Sequence, residues 1–288
     1  MKRIQIACHA DVWDGDDWLP FLDAAAEAGY DGVEGVEYLY RRYSDEVELG
    51  KILLTSRRLR LLALSERGDL VIPDKREEII KTCLRLAEFL QRMGANILIL
   101  ETGSRIIAEN IRHDFRVAAA TLNELGKRCK DFNVNLCIQP RVGDRIQQEE
   151  EIDRILSELD EREVFFCPDT GQLLRAEMDP AEILKIYGSC VKHIHLSDVP
   201  MPASPDSPET ESRTFCPPGQ GIIDFEGIIA ALQSIRYTGC AAVRFNPDER
   251  DSMEQDPMEQ DHIGKDPTHE ILEAKRYLEP LFEERKRT

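Results

Sequence analysis

The feature that most constrains the fold is a unit of strand, helix and strand in the second half of the chain. Two short apolar runs, residues 164–167 and 191–196, flank a segment with helical periodicity. This order is typical of a βαβ unit, in which the two strands run parallel. The first run is followed by Asp169, and the second contains His193 and His195. Because the C-terminal ends of parallel strands carry the chemistry in such folds, we expect a site there.

The same alternation of strand and helix signals runs through the whole chain. The strand signals begin near Arg3, Gly32, Leu59, Asn96, Val134, Val164, Val191 and Ala241. Helical periodicity separates them, at residues 18–28, 45–56, 75–93, 115–132, 149–159, 180–187, 224–234 and 271–282. Since no linker divides the 288 residues, the sequence predicts an α/β protein with one domain over residues 1–288, a single (β/α)8 TIM barrel. A doubly wound open sheet is the alternative, because periodicity alone does not prove closure.

Charge and composition argue against several classes of function. A net charge of −18 provides no basic field to attract phosphates, so no nucleic-acid partner is expected. No apolar run approaches the roughly 20 residues of a membrane span, and the N-terminus lacks the apolar region of a secretory signal. We therefore expect a cytoplasmic protein without a membrane partner. The eight cysteines form no C-x-x-C pair, which favours small buried side chains over a zinc–thiolate site.

Two segments have the composition of long loops. Residues 199–221 contain six prolines and no apolar period, which predicts a loop over the C-terminal mouth of the barrel. Residues 247–269 are acidic and contain a near-duplication, SMEQD followed by PMEQD. This second segment is predicted to be a mobile, solvated surface loop.

Several motifs resemble those of a known family. PDTGQ at residues 168–172, HIHLSD at 193–198 and PPGQGIIDF at 217–225 resemble the sugar isomerase/epimerase superfamily of xylose isomerase-like barrels. WDGDDW before the first helix and AGYDGVE at the second strand resemble its inosose dehydratase and isomerase branch. The resemblance covers nearly the whole chain. It implies a TIM barrel with a small sugar or polyol-derived substrate, no nucleotide cofactor, and compatibility with a homo-oligomer.

The resemblance also implies a metal site, in which this chain departs from the family. Members usually hold one divalent metal, such as Mn, Mg, Co or Zn, with Glu, Asp, His and Glu from strands five to eight. Such a cation can chelate a ketose and stabilise the enediolate formed by proton abstraction. The second and third positions fall on Asp169 and His195. The first and fourth fall on Gln139 and Arg244, where the family has glutamates.

These two departures change the electrostatics of the site. Gln139 has no charge and cannot act as a base, whereas Arg244 is a permanent cation. The formal charge of the four positions therefore changes from about −3 to about 0. The sequence predicts an impaired metal site, with a divalent metal at Asp169 and His195 in doubt. It also predicts that Arg244 pairs with Asp169, or with an anion bound at the mouth.

Ten residues are candidates for the site, and each also has a structural interpretation. The catalytic candidates are Gln139, Asp169, His195 and Arg244. The substrate-binding candidates, most of them near strand ends, are His9, Glu37, Glu101, Arg141, Gln172 and His193. Asp169 could instead cap the next helical turn, and His193 could belong to the core. Glutamates at strand ends are common in any acidic protein.

Two functions remain open from the sequence. The first is a sugar isomerase or epimerase, or a dehydratase, that removes a proton next to the carbonyl of a polyhydroxylated ketone or sugar. The alternative is a metal-free, non-catalytic descendant that binds a sugar-like or anionic ligand through Arg141, His195 and Arg244. A phosphodiester nuclease, known among relatives of this barrel, is disfavoured by the acidic charge and by missing metal ligands.

Overall fold

Eight parallel strands form a single sheet that curls into a barrel. The computed structural model describes residues 3–13, 18–70, 72–103, 111–201, 215–245 and 267–283. Within them the strands are β1 Gln5–His9, β2 Gly32–Val36, β3 Leu61–Arg67, β4 Ile97–Glu101, β5 Asn135–Gln139, β6 Val164–Phe166, β7 His193–Leu196 and β8 Cys240–Val243. Their order is β6-β5-β4-β3-β2-β1-β8-β7. Isolated parallel bridges, Phe166 with Val191 and Asp169 with His195, join the two ends. The predicted (β/α)8 barrel is confirmed.

Helices follow the strands and cover the outside of the barrel. They are α1 Leu19–Glu27, α2 Glu37–Tyr43, α3 Val47–Thr55, α4 Arg76–Met93, α5 Ile111–Cys129, α6 Glu149–Glu158, α7 Thr170–Arg175, α8 Pro180–Tyr187, α9 Phe225–Ser234 and α10 Pro267–Glu283. Local signals set several boundaries. Asp179 caps α8 ahead of a proline at its first position, and Gly94 ends α4 in the left-handed region at φ 81°. In the described ranges, no helix is long and apolar enough to cross a membrane.

The predicted elements agree with the structure except for two short helices. Each strand begins within two residues of its predicted start. The helices α2 and α7 were not predicted, because each has fewer than eight residues and no clear apolar period. Glu37 was expected near the end of the second strand; the strand ends at Val36, and Glu37 begins α2.

The barrel interior has an apolar layer below a polar layer. Alternate residues of a strand share a face, and six such side chains from the β3–β6 region form a buried cluster: Ala63, Ile97, Ile99, Cys137, Phe165 and Cys167. Two residues further along come Ser65, Glu101, Gln139 and Asp169, which are all buried. The outward residues of the same strands pack with the helices in the main core. The sheet thus places a ring of polar groups at its C-terminal mouth.

The base of the predicted loop over the mouth is tied to a single carboxylate. Asp198 follows β7 and accepts hydrogen bonds from the backbone N–H groups of Val199, Gly219, Gly221 and Ile223, at 2.8–3.0 Å. It also pairs antiparallel with Cys216 through two backbone hydrogen bonds. The middle of the loop, 202–214, lies outside the described residues, so its position over the mouth stays a prediction. The acidic segment is outside as well, except that 267–269 belong to α10.

Candidate active site at the barrel mouth

A fully buried carboxylate, Glu34 on β2, lies at the centre of the polar layer. Nε2 of His193 is 2.7 Å from Oε2, and Nε2 of His195 is 3.0 Å from both carboxylate oxygens. Nε2 of His9 is 3.2 Å from Oε1, and the Ser65 hydroxyl donates to the same oxygen. Burial alone would raise the pKa of Glu34, but the three histidines outweigh it and hold that pKa well below its usual range. We call these five residues the Glu34 cluster.

The hydrogen bonds of the Glu34 cluster fix which ring nitrogens carry protons. Nδ1 of His9 accepts the backbone N–H of Asp11 at 3.0 Å, so in the neutral ring Nε2 carries the proton and donates toward Glu34 and Ser65. A cation bound by His9, Glu34 and His195, whose ligand atoms lie within 4.8 Å of one another, would have to displace that proton. The cluster is therefore already satisfied as a hydrogen-bonded carboxylate.

Asp169 has one oxygen in a structural role and one in the mouth. Its Oδ1 accepts the N–H groups of Gly171 and Gln172, both at 3.0 Å, and the hydroxyl of Ser197. This caps α7, as the structural interpretation of Asp169 supposed. Its Oδ2 faces Nε2 of Gln139 at 3.4 Å and Nδ1 of His195 at 3.8 Å. One carboxylate can therefore serve both the fold and the site.

His195 directs its second nitrogen toward Asp169. Its Nε2 is taken by Glu34, and Nδ1 is buried without a hydrogen-bond partner among the described residues. Burial lowers the pKa of His195, and this outweighs the attraction of Glu34. The ring is therefore neutral near pH 7, with its proton on the nitrogen that faces the carboxylate. An oriented imidazole with a free lone pair can act as a base or as a ligand.

Arg244, just after β8, is enclosed by oxygen acceptors. One terminal nitrogen donates to Oε1 of Gln139 at 3.0 Å, and the other donates to Asp11 at 2.7 Å and to Glu101 at 2.9 Å. The side chain is 10% exposed. The expected direct pair with Asp169 is not among these contacts, because the amide of Gln139 lies between the two groups. The connection of Arg244 to Asp169 is therefore indirect.

The neighbouring acids are held in the charged form. Burial would raise the pKa of Glu101, but Arg244 and Arg141 outweigh it and lower that pKa to about 2. Burial also opposes ionisation of Asp11, yet His9 and Arg244 keep its pKa below the usual value. Carboxylates stabilised in this way are weak bases near pH 7. Both serve the mouth as fixed negative charges.

Arg67 extends this network outward to the carboxylate of Asp144. Arg67 bridges Glu101 at 3.3 Å and Asp144 at 2.6 Å, while Arg141 contacts Glu101 at 2.6 Å. Asp144 is 1% exposed, and burial raises its pKa to about 6 despite the nearby arginines. The mouth is thus lined by alternating acids and arginines.

The structure brings together most of the predicted site residues. His9, Glu101, Gln139, Arg141, Asp169, His195 and Arg244 form one connected set of hydrogen bonds and ion pairs with the residues described above. His193 lies deeper, where it holds Glu34. Gln172 accepts the backbone N–H of Val142 at 2.9 Å, which fixes the β5–α6 connection. The side chain of Glu37 is outside the described residues. Contact of these residues with a ligand stays a prediction.

Sequence reasoning missed the residue at the centre of the site. Glu34 is flanked by apolar and small residues in GVEGV, and a carboxylate at the middle of a buried strand requires polar partners. That signal was available, but Glu37, at the strand end, was favoured instead. Asp11 and Ser65 lie near the ends of predicted strands but were not among the ten candidates. Their partners come from other strands, and this becomes visible only once the barrel closes.

The residues at the family's metal positions do not fit a divalent cation. Gln139 directs its N–H toward Asp169 and its oxygen toward Arg244, so it offers no lone pair on the side of Asp169 and His195. The fourth position supplies a guanidinium. One carboxylate and one imidazole remain, fewer than divalent cations require in stable protein sites.

The fold and the site together define the class of protein. The family model described as "Xylose isomerase-like TIM barrel" matches residues 22–273, and the chain belongs to this family. An inosose dehydratase from Clostridium botulinum (strain Eklund 17B / Type B) is 29% identical over 274 residues, which cover 85% of this chain and 91% of that protein.

Solved structures show the same fold at lower identity. The IolI protein with a bound zinc atom aligns with a TM-score of 0.78 and 15% identity, over 98% of this chain and 99% of that one. A D-allulose 3-epimerase from Methylomonas sp. in complex with D-allulose aligns with a TM-score of 0.75 and 20% identity, over 97% and 98% of the two chains. Zinc and a sugar are thus bound within this fold.

Proposed function

We propose that this chain binds a polyhydroxylated ketone at the barrel mouth and removes a proton next to its carbonyl group. The observation that carries the proposal is the neutral ring of His195, oriented by Glu34, with its unpartnered Nδ1 on the side of Asp169. The relatives support the substrate class, because they include an inosose dehydratase and an epimerase bound to D-allulose. Isomerisation, epimerisation and dehydration all begin with this step.

The proton moves from the carbon next to the carbonyl to Nδ1 of His195. The electron pair of the broken C–H bond moves onto the carbonyl oxygen to give an enediolate, whose negative charge is stabilised by the guanidinium groups of Arg244 and Arg141. Delivery of the proton to the former carbonyl carbon, with a shift of a proton between the two oxygens, gives the isomer. Protonation of the original carbon on its opposite face, by a donor other than His195, gives the epimer. Loss of a hydroxyl group on the next carbon, with the proton, gives water and the dehydrated ketone.

Hydrogen–deuterium exchange tests this step without assuming the final product. The protein is incubated in D2O with an inosose and, separately, with a ketohexose, and the signal of the hydrogen next to the carbonyl is followed by NMR. We expect the signal to disappear with the wild type, and His195→Gln to slow its loss by about 100-fold or more. The control is His269→Gln, because His269 is exposed on α10. Unchanged exchange in His195→Gln would refute the proposal.

One observation favours a second candidate, a binding protein without catalysis. Arg244 and Gln139 neutralise the mouth and engage its acids, as in a site that only recognises an anionic or sugar-like ligand. Saturable binding of either ketone by calorimetry, with no deuterium exchange, would support this candidate over the first. The expected cytoplasmic location, the lack of a nucleic-acid partner and any homo-oligomer stay predictions.

A further inference from the structure

We infer that the guanidinium of Arg244 replaces the divalent cation of the family, so that the site is assembled and charged without a metal. The inference deepens the proposed function, on which its catalytic part rests. Its metal-binding part can be measured without any substrate. It is carried by three features: the acceptors around Arg244, the orientation of Gln139 and the protonation of the Glu34 cluster.

The first feature is the shell of oxygen atoms around the guanidinium. Asp11, Glu101 and Gln139 accept hydrogen bonds from Arg244 at 2.7, 2.9 and 3.0 Å. Two of these acceptors are carboxylates with lowered pKa values, so the pairs are ionic. Three oxygens from β4, β5 and the end of β1 thus converge on one positive charge, as oxygen ligands converge on a hard cation. Arg244 does for these acids what a metal would otherwise have to do.

The second feature is the amide of Gln139, which can satisfy both neighbours in only one orientation. Arg244 has only donors, so it requires the amide oxygen, whereas the Asp169 carboxylate requires the amide N–H. The structure has this arrangement, with 3.0 Å on the first side and 3.4 Å on the second. As long as Arg244 is present, Gln139 therefore directs a hydrogen toward the position between Asp169 and His195. A cation there would meet that hydrogen and the nearby positive charge.

The third feature concerns the other place where a metal could bind. Among the described residues, the one cluster of three metal-type side chains is formed by His9, Glu34 and His195. The hydrogen bond from Asp11 N to Nδ1 of His9 leaves the proton on Nε2, which points at Glu34. The oxygens of Glu34 already accept bonds from the surrounding donors. The carboxylate of this cluster is therefore satisfied by hydrogen bonds, and the charge balance of the mouth is left to Arg244.

The test compares metal content and metal response in the wild type and in variants. Purified protein is dialysed against a chelator and then against buffer, its metals are measured by mass spectrometry, and Mn²⁺ binding is followed by calorimetry and by the melting temperature. We expect the wild type to hold less than stoichiometric metal and to show no Mn²⁺-dependent shift. The double variant Gln139→Glu with Arg244→Glu restores two carboxylates, and it should bind Mn²⁺ about tenfold more tightly than the wild type or better.

Arg145→Met provides the matched control. Arg145 is also buried and paired with a carboxylate, Asp114, at 2.5 Å, but it is not among the groups that surround Arg244. Its removal should leave the Mn²⁺ response as in the wild type. Stoichiometric metal in the wild type after chelation would overturn the inference. His9→Gln would then show whether the cluster of His9, Glu34 and His195 holds that metal, but either result overturns the inference. Because this arm needs no variant, the inference stays falsifiable even if the double variant does not fold.

Deuterium exchange separates this inference from the proposed function. Exchange by the chelated wild type, without added metal, would support both. A chelated protein that binds no metal and exchanges no hydrogen would contradict the proposed proton transfer, yet it would leave the replacement of the cation by Arg244 intact. Exchange that appears only when a divalent metal is added would overturn the inference and keep the proton transfer.

Discussion

Removal of the Glu34 carboxylate should strongly destabilise the fold. Glu34 is fully buried and holds three imidazole rings and one hydroxyl group. Glu34→Ala leaves these buried donors without an acceptor. Each orphaned group costs about 1–3 kcal/mol, although the costs do not add fully. Because several buried donors lose their acceptor at once, we expect a decrease of about 3–5 kcal/mol in the free energy of unfolding.

The variant Glu34→Gln removes the negative charge of the side chain but keeps its shape. The amide keeps the volume and one acceptor oxygen, but its NH2 group meets at least one histidine donor. We expect a smaller decrease, about 2 kcal/mol, because part of the hydrogen bonding survives. Both variants should also release His195 from its fixed proton arrangement, which NMR of ¹⁵N-labelled imidazoles detects directly. In the wild type, the proton of His195 should be on Nε2.

The assay is urea unfolding at neutral pH, monitored by tryptophan fluorescence. Glu124→Ala is the control, because Glu124 forms surface ion pairs with Arg76 and Arg128 and its side chain is 41% exposed. That change should cost no more than about 1 kcal/mol. The reasoning is refuted if Glu34→Ala costs as little as the control, since the carboxylate would then not be holding the three rings.

Two further predictions concern groups beside the centre. The pKa of Asp144 in the folded protein is about 6, above its ordinary 3.8. The ionised side chain therefore lowers the free energy of unfolding above about pH 6, and protonation at lower pH removes this loss of stability. The stability of the wild type relative to Asp144→Asn, measured by urea unfolding, should therefore rise from pH 7 to pH 5; a constant difference would contradict this. A Cβ at Gly171 would lie 2.4 Å from Oγ of Ser197 and 2.7 Å from the Phe215 ring. Gly171→Ala should thus cost about 1–3 kcal/mol of unfolding free energy, whereas an unchanged melting temperature would show that α7 can move.

The sequence was informative where the signal is local. Apolar runs and helical periods located the eight strands, and strand ends pointed to Asp169 and His195. The DTG and HLSD motifs also have a local physical origin. The Thr170 hydroxyl donates to the Ser197 carbonyl, and Gly171 N donates to Ser197 Oγ at 2.9 Å. These bonds join the two motifs where β6 and β7 close the barrel.

The sequence was uninformative where partners are distant along the chain. Glu34 meets His193 across 159 positions, and Arg244 meets Asp11 across 233. No periodicity encodes such pairs, because they depend on closure and on strand register. The sequence did show that Arg244 needed an anionic partner. Asp169 was expected because of its place in the motif, whereas Glu101 and Asp11 lie closer once the strands are arranged.

The anchoring of both ends of the 199–221 segment by Asp198 has an evolutionary consequence. One side chain holds the two ends of this segment together. The number and type of residues between these ends can therefore change without altering β7, the strand that carries His195. Insertions and deletions can accumulate there without disturbing the hydrogen bonds of His195. The segment is therefore where the length and sequence of a barrel of this kind can vary at the least cost to its buried hydrogen bonds.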